Sequence, residues 1–588
     1  MTGLSHPIDR PARWRPRRAA LAIAILLSGA LLAGCSSRSS APGSGSDRGG
    51  TLVASIRSEP DTFNRYASRS FVTDIISRLT QAKLVRINRV TDQIEPRLAD
   101  SWTRSDDGRR YTLHLRPGVE FSDGQPFTSA DVLFSFQAAY DPRTAGPLGD
   151  SMKVDGKPLE VTAPDPSTVV ITFPSVFAPG LRLLDNLPIL PKHLLAGALA
   201  QGTFTQAWGT STPPAQMAGL GPFVLSSYEP GQRLVFTRNP HFWLKDVSGA
   251  PLPLLERLIL EIVPDQNAEL LRLESGQIDM TTTAVRPEDY RALKRAADQG
   301  KVKLLDLGVG LNADSFWINL NRASKRSDPR AAWLQSADFR RAISYAVDRK
   351  QFADAVYLGE GVPVYGPVSP GNRTWYWKDT PETPYDPARA KALLARLGLH
   401  DRPGSAQLVD AAGRPVQFTL LTFKGNTALE RGAEVIRDAL AKVGVTVNVV
   451  GLDVGGLVQR FTSNDYDAVY FSVYETDTDP ALNPDFWFSS GSAHLWNIGE
   501  KTPATPWEAQ IDELMARQIA APDLAIRQTL FDQVQRIFDE HLPVLRFVAP
   551  RIYVAMSTRV VRATPSVQSP YLLWNPEVLA VTGAGPAR

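Results

Sequence analysis

The sequence predicts a mixed α/β fold with more than one domain. Short runs rich in β-branched and aromatic residues alternate with segments whose apolar residues recur every 3.6 positions, which is typical of strands interleaved with helices. The chain has 588 residues, whereas a single hydrophobic core stops growing at about 250–300 residues. Hydrophobic residues make up 43% and charged residues 21% of the chain, the balance of an ordinary globular protein. At least two domains are therefore expected.

The first half of the chain is predicted to contain most of the strands, because short apolar runs there alternate with turn residues. The predicted strands are Leu52–Ile56, Tyr111–Leu115, Val169–Phe173, Leu234–Phe236 and Leu258–Val263. Thr128 is followed three positions later by Asp131, which predicts a capping box at the start of a helix.

The second half is predicted to be more helical. The predicted helices are Asp338–Asp348, a segment after Asp386, Leu429–Val443 and Leu524–Glu540. Pro387 at the first helical position and Gly398 just past the end support the second of these. Strands are predicted over Val445–Val450 and Val544–Val548. All these stripes are expected to build the core rather than a ligand site.

Residues 1–34 are predicted to be a signal peptide. Five arginines precede an apolar run, Ala19–Leu32, of about 14 residues, too short to cross a membrane comfortably. Leu32–Cys35 follows and resembles the bacterial lipobox, so Cys35 is expected to carry a lipid anchor. The Ser/Gly-rich residues 35–50 are predicted to be a flexible tether.

Charge and residue types exclude several functions. Residues 1–34 carry five Arg and one Asp, so their removal lowers the formal net charge from +3 to −1, and no nucleic-acid partner is expected. Cys35 is the only cysteine, and none of the seven histidines has metal-ligand spacing, so no cofactor or metal site is predicted. The chain has no G-x-S-x-G or H-E-x-x-H motif of a hydrolase.

Seven segments carry a family resemblance. They are Pro96–Trp102, Phe121–Thr128, Leu190–His193, Arg238–Pro240, Ser275–Asp279, Arg340–Arg349 and Tyr385–Pro387. In order and spacing they resemble elements of the bacterial extracellular solute-binding proteins of family 5, the dipeptide- and oligopeptide-binding lipoproteins of ABC importers. The resemblance covers essentially all of the chain after the signal peptide.

The resemblance implies a two-lobed periplasmic-binding-protein fold (type II, cluster C) with an extra subdomain in lobe one and two hinge crossovers. The implied division is residues 51–308 for lobe one with the subdomain at about 93–184, residues 309–542 for lobe two, and residues 543–588 for a C-terminal return to lobe one. Closure of two such lobes buries the ligand between them.

The resemblance also implies the function. A peptide is captured by hinge closure and delivered to the permease and ATPase subunits of an ABC importer. The protein is expected to act as a monomer in the periplasm or cell envelope, held to a membrane through Cys35. In such proteins the peptide backbone adds as a strand between the lobes, and its amino terminus pairs with a buried carboxylate.

Asp477 is the predicted carboxylate, because it stands three residues after an aromatic residue, as in the family pattern. The following Asp-Pro comes one residue early, so Asp479 and Glu475 are alternatives, and a turn that caps Pro480 is a competing interpretation. The remaining predicted ligand contacts are Val473 and Tyr474 along the ligand, Arg69 and Phe71 facing it from lobe one, and Trp487 and Trp496 as pocket walls.

Three alternatives remain at this point. The ligand could be a metal chelate, glutathione, an opine or a sugar bound on the same fold. The chain could be an exported hydrolase, since carboxylate pairs are common to glycosidases. It could also be a sensory or chaperone-like module that uses the same lobes without import.

Overall fold

The computed structural model describes residues 48–325, 327–473 and 477–582. The predicted signal peptide, Cys35, nearly all of the tether, Tyr474 and Glu475 lie outside the described residues. Among the residues that are described, no helix combines the length and apolar character needed to span a membrane.

The strands, numbered in chain order, are short and mostly half-buried or buried. They are β1 (Thr51–Ile56), β2 (Val85–Ile87), β3 (Ile94–Pro96), β4 (Ala99–Arg104), β5 (Arg110–Leu115), β6 (Glu160–Asp165), β7 (Thr168–Thr172), β8 (Phe223–Glu229), β9 (Arg233–Arg238), β10 (Arg257–Ile262), β11 (Met280–Thr281), β12 (Val302–Val309), β13 (Asp314–Ile318), β14 (Gly361–Pro363), β15 (His400–Asp401), β16 (Leu408–Val409), β17 (Gln417–Phe423), β18 (Thr446–Leu452), β19 (Ala468–Ser472), β20 (Val544–Arg546), β21 (Val548–Ser557), β22 (Val560–Arg562) and β23 (Ala580–Val581).

The helices are numbered in the same way. They are α1 (Phe71–Thr80), α2 (Ser129–Tyr140), α3 (Pro147–Ser151), α4 (Gly180–Leu183), α5 (Lys192–Gln201), α6 (Gln266–Glu274), α7 (Pro287–Asp298), α8 (Ala331–Leu334), α9 (Ala337–Ala346), α10 (Arg349–Tyr357), α11 (Pro387–Arg396), α12 (Thr427–Ala441), α13 (Val454–Thr462), α14 (Pro484–Trp487), α15 (Pro506–Ala520) and α16 (Leu524–His541).

The larger of the two main sheets has eight strands. Their order is β12-β21-β11-β1-β10-β9-β8, with β14 added to β21. Its strand β1 pairs in parallel with both β10 and β11. The residues of β1 after Thr51 are all buried, as expected for a central parallel strand covered on both faces. We call residues 48–309 and 548–582, which are built on this sheet, lobe one.

A separate four-stranded antiparallel sheet, in the order β4-β5-β7-β6, lies within lobe one. Helix α2 packs beside it and begins with the capping box predicted from the sequence. The Thr128 side chain accepts a backbone N–H of the first turn, and the Asp131 carboxylate accepts the Thr128 N–H. This sheet accounts for the extra subdomain.

A five-stranded sheet, in the order β18-β17-β19-β13-β20, forms the second half. Its core includes Phe316, Phe418 and Tyr470, all fully buried. Helices α9, α11, α12 and α16 occur where the apolar periodicity predicts them. We call residues 310–547, which are built on this sheet, lobe two.

Apart from β14, which returns from lobe two to pair with β21, the chain crosses between the two sheets twice. The first crossing runs from β12 to β13, where Gly308 adopts a φ of +94°, a conformation that favours glycine. The second crossing is Phe547 alone, between β20 in one sheet and β21 in the other. The single strand predicted over residues 544–548 is therefore wrong, because its two halves pair in different sheets.

The two crossing segments contact each other. Strands β12 and β21 pair as antiparallel neighbours up to Val309 and Arg551, with an irregularity after Asp306. The Gly310 N–H also donates to the Pro550 carbonyl at 2.8 Å. The α/β fold of two lobes joined by a double crossover, predicted from the sequence, is confirmed.

Candidate ligand-binding site

A cavity of about 2130 Å³ lies between the two lobes. This volume exceeds the roughly 300–1,000 Å³ typical of sites for drug-sized molecules. Residues from both sheets and their flanking loops line it. They include Arg69, Phe71, Arg89, Phe177, Thr282, Tyr553 and Tyr571 from lobe one, and Asp314, Tyr357, Leu429, Ser472, Asp477, Asp485 and Ala520 from lobe two. A ligand in this cavity would contact both lobes.

Asp477 lies at the cavity wall and forms an ion pair across the lobes. The guanidinium of Arg182, on α4 of lobe one, donates to Asp477 Oδ1 through Nη2 at 2.6 Å and through Nε at 3.1 Å. The same Oδ1 accepts the Asp479 backbone N–H at 2.9 Å. Burial raises the pKa of Asp477, and the positive charge of Arg182 offsets part of that rise. The predicted carboxylate is thus already paired with a cation of this chain.

Asp92, in the turn between β2 and β3 of lobe one, completes this cross-lobe network. Arg182 Nη2 donates to Asp92 Oδ1 at 2.9 Å, and the Thr478 hydroxyl of lobe two donates to the same oxygen at 3.0 Å. Burial lowers the pKa of Arg182, but the three nearby carboxylates outweigh it and raise the pKa above its ordinary value. The guanidinium therefore stays charged while it joins the lobes.

Asp479, the first alternative to Asp477, is held within lobe two. Arg527 donates to its two oxygens at 2.8 and 2.6 Å, a bidentate pair in which both side chains are buried. Asp479 also accepts the Ala481 N–H at 3.0 Å and so caps a short helical turn. The capping turn weighed in the sequence interpretation is present, and it involves Asp479.

Arg69 and Phe71 line the cavity from lobe one. Phe71 begins α1 and is 41% exposed, which is unusual for a large apolar side chain. Arg69 is exposed as well, and no ion pair involves it within the described part of the chain.

Val473 and Trp487 line a smaller pocket of about 250 Å³. This pocket adjoins the main cavity, since Leu482 and Asp485 line both. Trp496 is fully buried, and its indole N–H donates to Glu508 Oε1 at 3.0 Å. The structure therefore brings Arg69, Phe71 and Asp477 to the main cavity, places Val473 and Trp487 beside it, and packs Trp496 into the core of lobe two.

A second carboxylate at the cavity wall was not anticipated from the sequence. Asp314, the first residue of β13, is buried and accepts the hydroxyls of Tyr357, of Tyr470 at 2.7 Å and of Ser472 at 2.6 Å. Burial raises the pKa of Asp314, and these bonds offset part of the rise. Among the described residues no basic side chain forms an ion pair with it. The signal in the sequence that could have pointed to this site is a charged residue, Asp314, at the start of a strand whose other residues are uncharged and buried.

Two lobes, a double crossover and a large cavity between the lobes together define a periplasmic binding protein. Residues 93–494, more than half of the chain, match the sequence profile of the middle region of the bacterial extracellular solute-binding proteins, family 5. The chain belongs to this family.

Individual relatives cover most of this chain. It is 27% identical to the dipeptide-binding protein of Pseudomonas aeruginosa over 81% of this chain and 85% of the relative. It is 29% identical to heme-binding protein A of Haemophilus influenzae over 83% of this chain and 84% of the relative. The fold is similar to that of the oligopeptide-binding protein AppA of Bacillus subtilis in complex with a nonapeptide, with a TM-score of 0.68, 24% identity, and coverage of 91% and 99% of the two chains.

Proposed function

We propose that this protein is the solute-binding subunit of an ABC importer and captures peptides by closure of its two lobes. The observation that carries the proposal is a cavity of about 2130 Å³ lined from both lobes of a family 5 fold. Its walls present both charge signs, which suits a zwitterionic peptide. Ser472, at the end of β19, lines the cavity beside Asp314, its partner across the sheet.

Two carboxylates at the cavity wall could receive the amino terminus of the peptide, and they differ in how they are neutralised. At Asp477 an incoming ammonium has to displace Arg182. At Asp314 it meets a carboxylate that is bonded only to hydroxyls among the described residues. We therefore assign the amino terminus to Asp314 and lobe closure to Asp477. Arg69, on the opposite wall, is assigned to a carboxylate of the ligand.

This assignment is tested with peptides whose amino terminus is either free or acetylated. Asp314→Asn should weaken binding of the free peptide by roughly 2–5 kcal/mol, as for removing one partner of a buried charge pair, and should leave the acetylated peptide little changed. Asp477→Asn should weaken both peptides alike. Isothermal titration of the mature protein measures each affinity. Equal losses for both peptides in Asp314→Asn would contradict the assignment.

Mass spectrometry of small molecules that co-purify with the mature protein tests the ligand class directly. Peptides in the retained fraction, recovered intact after incubation, would support a binder that breaks no bonds. Recovery of a heme, a sugar or a metal chelate would instead support the alternative that the protein binds a non-peptide solute. Release of shortened products would support the hydrolase alternative.

The lobe boundaries and the membrane anchor are part of the same proposal. We place the boundaries where the chain changes sheets, after Val309 and at Phe547. Cys35 is proposed to carry the lipid that holds a monomeric protein to a membrane in the periplasm or cell envelope. Cys35→Ser should move the protein from the membrane fraction to the soluble fraction. Retention of this variant in membranes would contradict the anchor.

A further inference from the structure

Lobe two holds a cluster of one imidazole and two carboxylates that does not line the ligand cavity. His494 Nε2 lies 3.5 Å from Glu508 Oε1 and 3.8 Å from Glu500 Oε2. One donor atom from each of the three residues lies within 4.8 Å of the other two. The three side chains are 2%, 2% and 7% exposed for His494, Glu508 and Glu500. The cluster is therefore almost dry.

His494 is buried without satisfying its polar atoms. Neither of its ring nitrogens has a hydrogen-bond partner, and the same holds for Glu500 Oε1. A buried polar atom without a partner costs about 1–3 kcal/mol, so three such atoms in one cluster require an explanation. A cation bound in the cluster would take one nitrogen of His494 and one oxygen of each glutamate as ligands.

The surroundings hold the two carboxylates in fixed positions. Glu508 accepts the Trp496 indole N–H at 3.0 Å and the Thr505 hydroxyl at 2.7 Å. Glu500 accepts the Asn497 side-chain amide at 2.9 Å. Such outer hydrogen bonds orient the ligands in metal sites of known proteins.

The charge of the cluster is not balanced by a basic side chain. Among the described residues, Glu500 and Glu508 form ion pairs with His494 alone. Arg340, on which the charge of Glu508 acts, donates to the carbonyls of His541 and Gln335 instead. Asp512 adds a further negative charge nearby. Two buried carboxylates with a neutral imidazole match the charge of a divalent cation.

We propose that His494, Glu500 and Glu508 bind a divalent transition-metal cation of the Zn²⁺ class. Tetrahedral ligands about 2.0–2.1 Å from Zn²⁺ lie about 3.3 Å from one another, close to the separations of 3.5 and 3.8 Å found here. Imidazole favours transition metals over Mg²⁺ or Ca²⁺, which prefer all-oxygen sites. Residues 501–504, which directly follow Glu500, are exposed, so this end of the loop lies at the surface of lobe two.

The site joins one loop to the helix that follows it. His494 and Glu500 lie in the loop between α14 and α15, and Glu508 lies in the first turn of α15. A bound cation would tie the loop to the helix, and none of the three residues lines the ligand cavity. Its role is therefore structural, and the inference stands whether or not the ligand is a peptide.

The test uses tag-free mature protein that has been treated with a chelator, exposed to Zn²⁺ and dialysed. Elemental analysis should find one tightly held Zn²⁺ per chain, and Zn²⁺ should raise the thermal unfolding midpoint by a few degrees. His494→Gln should lose both effects. His193→Gln is the matched control, because His193 Nε2 also contacts a carboxylate, that of Asp123 at 2.8 Å, but on the surface.

Two results would overturn the proposal. One is wild-type protein that retains no Zn²⁺ after dialysis, which would leave a proton shared between His494 and the glutamates as the explanation of the cluster. The other is equal Zn²⁺ retention by wild type and His494→Gln. If that variant does not fold, Glu500→Gln and the visible spectrum of Co²⁺-loaded wild type decide, since a tetrahedral site gives intense bands and adventitious surface binding does not.

Discussion

Asp477 and Asp479 stand two residues apart on one loop, and each pairs with an arginine, but the two pairs have different effects. Arg527 holds Asp479 within lobe two, with side chains that are 7% and 4% exposed. Arg182 holds Asp477 from lobe one, with both side chains 11% exposed. The first pair ties the loop to its own lobe, whereas the second ties it to the other lobe. The type of residue is the same, and the location of the partner decides the role.

Asp479→Asn should produce the largest effect. The substitution leaves the Arg527 guanidinium buried without its bidentate partner, which costs about 3–5 kcal/mol of unfolding free energy. Denaturant titration measures the loss. Asp485→Asn on the same stretch is the control, because Asp485 is exposed and should change stability by about 0.5 kcal/mol or less. Similar losses in the two variants would remove the distinction between a buried and an exposed acid.

Asp477→Asn should have a smaller effect, and on a different property. The closed form loses charge-assisted bonds from Arg182, so ligand affinity should fall by about 1.5–3 kcal/mol. The unfolding free energy of the ligand-free protein should change less, because the open form lacks the pair. Small-angle scattering should show a larger radius of gyration at a given ligand concentration.

Arg182→Gln sharpens this result. It should reproduce the affinity loss of Asp477→Asn, and the double variant should lose less than the sum of the two single variants. Strictly additive losses would show that the two residues act independently, contrary to the contacts seen between them.

The pH dependence that arises from Asp314 should be the smallest effect. Burial raises its folded-state pKa above the ordinary 3.8. Between pH 3.8 and that raised pKa, the folded protein therefore binds more protons than the unfolded chain. The stability from this group is therefore fully present below 3.8 and is lost as pH rises through the folded pKa. Denaturant midpoints measured from acid to neutral pH should decline less in Asp314→Asn than in the wild type, because the other buried acids with raised pKa values, Glu500 among them, remain.

The sequence predicts local structure well here because local structure depends on nearby residues. The capping box at Thr128 and the helix that begins at Pro387 follow from the chemistry of four consecutive positions. Motif order along the chain likewise predicted the family and the two-lobed fold. These features do not require knowledge of which distant residues meet.

The site could be predicted only in part, because its pairs join residues far apart in the chain. The Arg182–Asp477 pair spans 295 residues, and nothing near Arg182 marks it as a partner. The split of residues 544–548 into β20 and β21 has the same cause, since pairing partners decide which sheet each half joins. The His494 cluster was missed for a different reason, because its three residues are close in the chain but their spacing does not follow a metal-binding motif.

The second crossing consists of one buried residue, Phe547, between two paired strands. A single residue supplies only two freely rotating backbone bonds. The first crossing lies beside it, since β12 and β21 pair as neighbours, so the two links hold the halves together as a pair. Release of a bound solute then requires backbone angles to change at both links, and lengthening one of them would leave the other in place without altering any side chain that touches the solute.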